Sequence, residues 1–331
     1  MIRIYNKELD KLAEIHYKAI KDQLYKDFKQ IKGTKKISTD EIEIKFNEKL
    51  KKNGINNTLR EIITSKFDQL TKIAKRNIKY KKDTTFQKMY NKFSNGKDAH
   101  IGLRKPRGEP RLTYNANTMV ESLGFKVCPL CNRNYINNTK RIYKTGKNGV
   151  EYTIKRTCQL DHYYSQSEYP LLAMSFYNLI PVCSSCNHAK SDKSLSISPY
   201  SIAKVDHLIT FDFNIDDVKA ISDKNHVKVS IKVDSSNKKV IKDHLDIIGI
   251  EELYKNHNDI VFEILQKYRH YNHIKRKELI VSFPGLYENE QEIKNVLFGE
   301  YKDIDNFHRK SLSKLTRDII KRIDNYPSDL I

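Results

Sequence analysis

Apolar residues recur along the first seventy-odd positions at steps of three to five. Leu9, Leu12, Ile15, Ile20, Leu24, Phe28 and Ile31 form one stripe, and Gly33 stands where such a helix would stop. A second helix is expected after Ser38, with Glu41 placed to complete a capping box, and should end near Gly54. Thr58 and Glu61 repeat that signature ahead of Leu59, Ile62, Ile63, Phe67, Leu70 and Ile73. These stripes read as core or as partner-facing surface, and nothing in them suggests chemistry. Around Gly96, Gly102, Pro106, Gly108 and Pro110 the pattern breaks into a loop or boundary. Its Arg104, Arg107 and Arg111 suit either phosphate contact or a solvated linker.

After Arg133 the period shortens. Tyr143 and Lys144 lead into Asn148-Gly149, a hairpin signal, and Tyr152 and Ile154 resume the alternation. The second arm is expected to run directly into Leu160-Asp161-His162. Beyond Pro199 come two further strand candidates, residues 208–213 and 227–233. Helices are then expected at about 240–256, 258–280, 288–298 and 310–324, with Pro284 among the breaks. The pattern predicts an α+β chain, mainly α. A helical region over 1–112 precedes a central module over 113–200, and a small β hairpin with further helices fills 201–331.

Charge narrows the partners. The 331 residues include 61 Lys and Arg against 41 Asp and Glu, a net charge of +20. Such a balance favours polyanions, because cationic side chains displace counterions condensed on phosphate backbones. An AT-rich coding sequence would also enrich Lys, Ile and Asn throughout, so the charge counts only together with motifs. No apolar run is long enough for a membrane span, so a membrane partner is not expected. Met1 to Lys7 lack the apolar core of a secretory signal, which makes the cytoplasm the expected compartment.

Five cysteines in such a chain argue for metal rather than disulfides. Cys128 and Cys131 form one C-x-x-C, and Cys183 and Cys186 a second. Together they supply the four thiolates of a tetrahedral structural Zn²⁺ site, which would tie two distant chain segments together. Cys158 stands alone and reads as a core residue on a strand.

The densest chemistry follows. Phosphodiester cleavage needs a base to take a proton from water and a divalent ion to offset charge on the phosphate and leaving oxygen. Asp161 offers a hard carboxylate for Mg²⁺ or Mn²⁺, and His162 beside it can be neutral near pH 7. Adjacent strand residues point to opposite faces, so the two share a site only where the strand ends or twists. A loop starting at Tyr163 fits that need. Asn178 precedes the apolar strand Leu179-Ile180-Pro181-Val182 and is suited to fixing that loop and the imidazole. Asn187, directly after the second C-x-x-C, can complete the metal shell from the first turn of a helix. Lys190, on the same helical face, can reach phosphate, with Lys193 in support.

Taken in order, these residues resemble the HNH, or ββα-metal, endonuclease superfamily: D-H, then N-L-x-x-x-C-x-x-C, then H or N, then x-x-K. Asn187 in the third place makes the chain similar to an H-N-N variant, with neighbouring His188 as the alternative ligand. Cys128-Pro129-Leu130-Cys131-Asn132-Arg133-Asn134-Tyr135-Ile136 and the run from Tyr169 to Pro181 resemble a bacterial subgroup associated with anti-phage defence. Many of that subgroup are encoded beside an ATPase, as in Septu-type systems. Glu252 to His257 and Leu312 to Ile319 look like the same subgroup, so the resemblance covers roughly 120–322 and leaves out the N-terminal helices. It implies a zinc-stapled ββα-metal module held by Cys128, Cys131, Cys183 and Cys186. Asp161 and Asn187 would bind the catalytic ion, His162 would be the general base and Asn178 the positioning residue. Nucleic acid, DNA favoured, and an ATPase would be the partners. One departure is plain: relatives often carry Pro-Lys-Ser-Lys after the D-H-aromatic pair, where this chain has Ser165-Gln166-Ser167-Glu168. Two other readings stand beside this one. A non-catalytic zinc module could bind nucleic acid or scaffold an ATPase, and a nuclease of this type could cleave RNA, including tRNA.

Overall fold

The computed structural model describes residues 2–32, 38–76, 83–94, 101–102, 113–146, 149–201, 205–301 and 303–325. The chain is α+β and mainly helical, with its strands in two-stranded sheets. It divides into two compact units, one of Ile4–Lys126 with Tyr135–Ile202, the other of Met1–Arg3, Val127–Asn134 and Ala203–Ile331.

In the first unit, α1 (Leu9–Lys32), α2 (Thr39–Lys52), α3 (Leu59–Thr64), α4 (Phe67–Arg76) and α5 (Thr85–Ser94) build a helical layer. Both predicted capping boxes form. Ser38 and Thr58 accept from the backbone N–H of Glu41 and Glu61, whose carboxylates return the bond. The buried face of α1 is rotated from the expected stripe: Ala13, His16, Tyr17, Ile20 and Leu24 are buried, while Leu9, Leu12 and Ile15 are only partly covered. A histidine can take that place because both ring nitrogens are satisfied. Nδ1 lies 3.1 Å from the Tyr114 hydroxyl and Nε2 lies 2.8 Å from the Met174 carbonyl. Phe93, Tyr114 and Phe176 meet the imidazole at its edges. Gly33 and the Arg104, Arg107 and Arg111 segment lie outside the described residues.

A short pair, β1 (Ile101–Gly102) and β2 (Thr113–Tyr114), precedes α6 (Ala116–Leu123). The predicted hairpin is β3 (Asn138–Gly146) with β4 (Gly149–Arg156); its turn at Asn148 lies outside the described residues. The second arm does not continue into the Asp161 strand as one element. Thr157 interrupts it, and β5 (Cys158–His162) takes a new antiparallel partner, β6 (Leu179–Cys183), with Asp161 opposite Ile180 and His162 opposite Leu179. Pro181 is tolerated there because each strand of a two-stranded ribbon has one edge that needs no donor. Helix α7 (Ser184–Lys190) starts as β6 ends, and packs on both strands.

The second unit is built on α8 (Val205–Leu208) and the ribbon of β7 (Ile209–Ile215) and β8 (Val227–Val233). The expected helices follow, divided more finely: α9 (Lys238–Ile248), α10 (Ile250–Lys255), α11 (Asn258–His270), α12 (His273–Ser282), α13 (Glu290–Phe298) and α14 (Ser313–Asp324). Gly249, at φ 70°, ends α9 in the left-handed region that a side chain disfavours, and Asn272 caps α12 through Lys275 N–H. Phe211 stacks on Tyr254, their ring centres 4.1 Å apart. Buried Lys314 on α14 pairs with Asp206 and Asp318, and Asp318 accepts from Phe211 N–H in β7.

Candidate functional site

The segment Val127–Asn134 turns tightly around its two cysteines. Asn132 N–H donates to Cys128 O and Cys128 N–H to Asn134 O, with Asn132 itself at φ 52°. Arg133 N–H points at Cys131 Sγ from 3.4 Å, a contact that favours the thiolate. The C-terminal motifs hold this knuckle. Tyr254 Oη donates to Cys131 O, and Arg133 Nε lies 2.7 Å from His257 Nε2. Leu312, on the N-terminal side of α14, has no capping side chain of its own. Asn132 serves instead, accepting Lys314 N–H at Oδ1, taking Leu312 N–H on its carbonyl and donating to Phe307 O.

Cys183 is the N-cap of α7 and Cys186 lies in its first turn. The sulfurs of Cys128, Cys131, Cys183 and Cys186 lie within 4.8 Å of one another, all four residues are buried, and the five cysteines form no disulfide. A tetrahedral ion with metal–sulfur bonds of about 2.3 Å sets its ligands about 3.8 Å apart, so the cluster can hold a metal ion such as zinc. Cys158, the buried first residue of β5, is not in the cluster.

A cleft of about 350 Å³ opens beside α7, lined by Asp161, His162, Asn187 and Lys190 together with Tyr90 and the 165–167 segment. Asp161 and His162 are each 7% exposed. They share the cleft because β5 ends at His162 and the chain turns away at Tyr163, whose N–H donates to Asn178 O. The His162 Nε2 lies 3.0 Å from Ala173 O. A carbonyl only accepts, so Nε2 carries the proton of the neutral ring and Nδ1 is left as the acceptor. Burial pushes this imidazole down to about 4, so it stays neutral near pH 7.

Asp161 is the site's electrostatic centre. Burial pushes its carboxyl up to about 6, against the pull of the Lys190 ammonium. Lys190 Nζ donates to Asp161 Oδ1 at 3.0 Å and to His162 O at 3.1 Å. Asp161 Oδ2 is buried and has no hydrogen-bond partner among the described residues. An orphaned buried carboxylate oxygen is a group that a hard divalent cation such as Mg²⁺ or Mn²⁺ could satisfy.

The other predicted residues fall around this centre. Asn178 is wholly buried, immediately before β6. Its amide accepts from Tyr164 N–H and donates to Tyr164 O and Leu172 O, pinning both ends of the 164–172 loop beside Ala173. Asn187 lines the cleft, whereas exposed His188 does not. Lys190, expected to reach phosphate, is 2% exposed and directed at Asp161. The Ser165-Gln166-Ser167 departure forms part of the cleft lip.

Tyr90 is the residue that sequence reasoning missed. It comes from α5, meets the His162 ring edge-on at 4.3 Å and donates its hydroxyl to Leu160 O. Gln87, one turn earlier, donates to Gln166 O and so supports the lip. Along the chain Tyr90 is one more aromatic on an amphipathic helix, and no local pattern marks it. No family model, curated protein or solved structure matches the chain. No helix among the described residues is long and apolar enough to cross a membrane.

Proposed function

We propose that this protein is a metal-dependent endonuclease of the HNH type that hydrolyses phosphodiester bonds, with DNA the favoured substrate. The observation that carries this reading is the pairing of an orphaned Asp161 oxygen with a neutral, oriented His162 in one cleft. The β5–β6–α7 succession supports it, since the strand end supplies Asp161 and His162 and the helix supplies Asn187 and Lys190.

In this reading Asp161 and Asn187 hold the divalent ion, which would offset charge on the scissile phosphate and the leaving oxygen. Nδ1 of His162 accepts the proton of the attacking water, because Nε2 is committed to Ala173. Asn178 keeps that carbonyl in place by tying down the loop that carries it. The cysteine cluster holds zinc and sets the start of α7, and with it Asn187. The net charge of +20 suits a polyanionic substrate. The motif resemblance extends the proposal to the nuclease effector of a bacterial anti-phage system, acting with an ATPase.

The test is cleavage of plasmid DNA by purified protein with Mg²⁺ or Mn²⁺, alone and with the product of an adjoining ATPase gene. Wild type should cut, and His162→Ala should lose about 10²–10⁴-fold in rate. If His162→Ala and wild type are indistinguishable under every condition, catalysis is refuted and the non-catalytic zinc-module reading replaces it. Cleavage of RNA or tRNA with DNA left intact would reassign the substrate and keep the chemistry.

A further inference from the structure

Lys190 occupies an unusual place for a residue expected to meet substrate. It closes α7, its side chain is 2% exposed, and its ammonium is spent on two oxygens. One is Asp161 Oδ1; the other is the carbonyl of His162. Asn187 lies three residues earlier on the same helix, so the candidate amide ligand and the ammonium reach the same cleft from one face of α7. Asp161 therefore has one oxygen held by a covalently tethered cation, while the other, Oδ2, is buried and has no hydrogen-bond partner among the described residues.

We propose that Lys190 is a built-in counter-ion that occupies one oxygen of Asp161 in the metal-free protein and competes with the divalent cation for that carboxylate. This rests on Asp161 being a divalent-ion ligand. A carboxylate buried this deeply needs a partner, and the ammonium 3.0 Å from Oδ1 supplies one from within the chain. The same ammonium repels a second cation arriving at Oδ2, because two like charges on one carboxylate, shielded from water, interact strongly. The cleft is thus preformed without metal, at the expense of metal affinity. Loading then depends on ion concentration, or on a substrate phosphate that draws the ammonium off Asp161. Charge, rather than a hydrogen bond, is what the position requires.

Mn²⁺ binding to the zinc-loaded protein, read by electron paramagnetic resonance at pH 8, separates the possibilities without any nuclease assay. Lys190→Met and Lys190→Gln should bind Mn²⁺ at least tenfold more tightly than wild type, and Lys190→Arg should remain close to wild type. Without metal, Lys190→Met should melt at a lower temperature than wild type, and Mn²⁺ should raise its melting temperature by more than it raises that of wild type. Lys190→Gln keeps a donor for Asp161 and serves if Lys190→Met does not fold unaided. Unchanged or weaker Mn²⁺ binding by either folded neutral variant overturns the counter-ion role while leaving the nuclease reading intact. Absence of Mn²⁺ binding in wild type and variants alike, or full binding by Asp161→Asn, removes the ligand role of Asp161 and this inference with it.

Discussion

At the scale of single residues, protonation and hydrogen bonding decide what the cleft can do. Asn178→Ala would remove the acceptor of the part-buried Tyr164 N–H and one donor each from Tyr164 O and from Leu172 O, which keeps Ser175 N–H. A loss of about 2–3 kcal/mol is expected in a urea titration, with cleavage falling as Ala173 releases His162. Acid acts on the same groups. Burial holds His16 and His162 down to about 4 and His244 to about 3, all below the ordinary value of 6.5. Their contributions are complete above pH 6.5 and are lost as pH falls towards the folded values, about 2 kcal/mol each by pH 5. Asp161, pushed up to about 6, acts the other way and regains about 1 kcal/mol between pH 6 and 5. The net is acid destabilisation. Melting temperature should fall steadily from pH 7 to 5, and a flat profile would contradict the buried neutral histidines.

At the scale of elements, helix ends and strand partners carry most of the information. The capping boxes at Ser38 and Thr58 were readable because a cap and its reciprocal carboxylate are local and three residues apart. The start of α14 was not readable in the same way, since its cap is Asn132, 182 residues before Lys314. Asn132→Ala should cost about 1–2 kcal/mol in chemical denaturation through the lost cap, since Ser313 Oγ still donates to the Phe307 carbonyl. Zinc content should fall with it, because Asn132 directly follows Cys131. The two helices expected over about 240–256 and 258–280 each divide in two. Periodicity survives a break of one or two residues, and the left-handed Gly249 and the Asn272 cap are the punctuation. Gly249→Ala, forced to φ 70°, should destabilise by about 1–2 kcal/mol, measurable in the same denaturation series.

At the scale of the whole molecule, the four-cysteine cluster is the feature whose loss reaches furthest. Elemental analysis should find one zinc per chain, and a strong chelator or Cys183→Ser should lower the melting temperature sharply, since thiolate–zinc binding and folding are coupled. Composition, helical content and the four clustered cysteines were legible along the chain, because periodicity and C-x-x-C spacing are properties of neighbouring residues. Asp161 and His162 were legible as candidates for the same reason. The burial that pushes their protonation in opposite directions was not, nor were the Lys190 ammonium turned inward, the Tyr90 ring beside the imidazole and the histidine in the α1 core. Each of these depends on which elements pack together, and packing sets the solvation and partners of a group whatever its neighbours in sequence. Residue identity and short-range order thus determined which chemistry was on offer; only the tertiary structure decided which groups lose water, and therefore which charges and protons they keep.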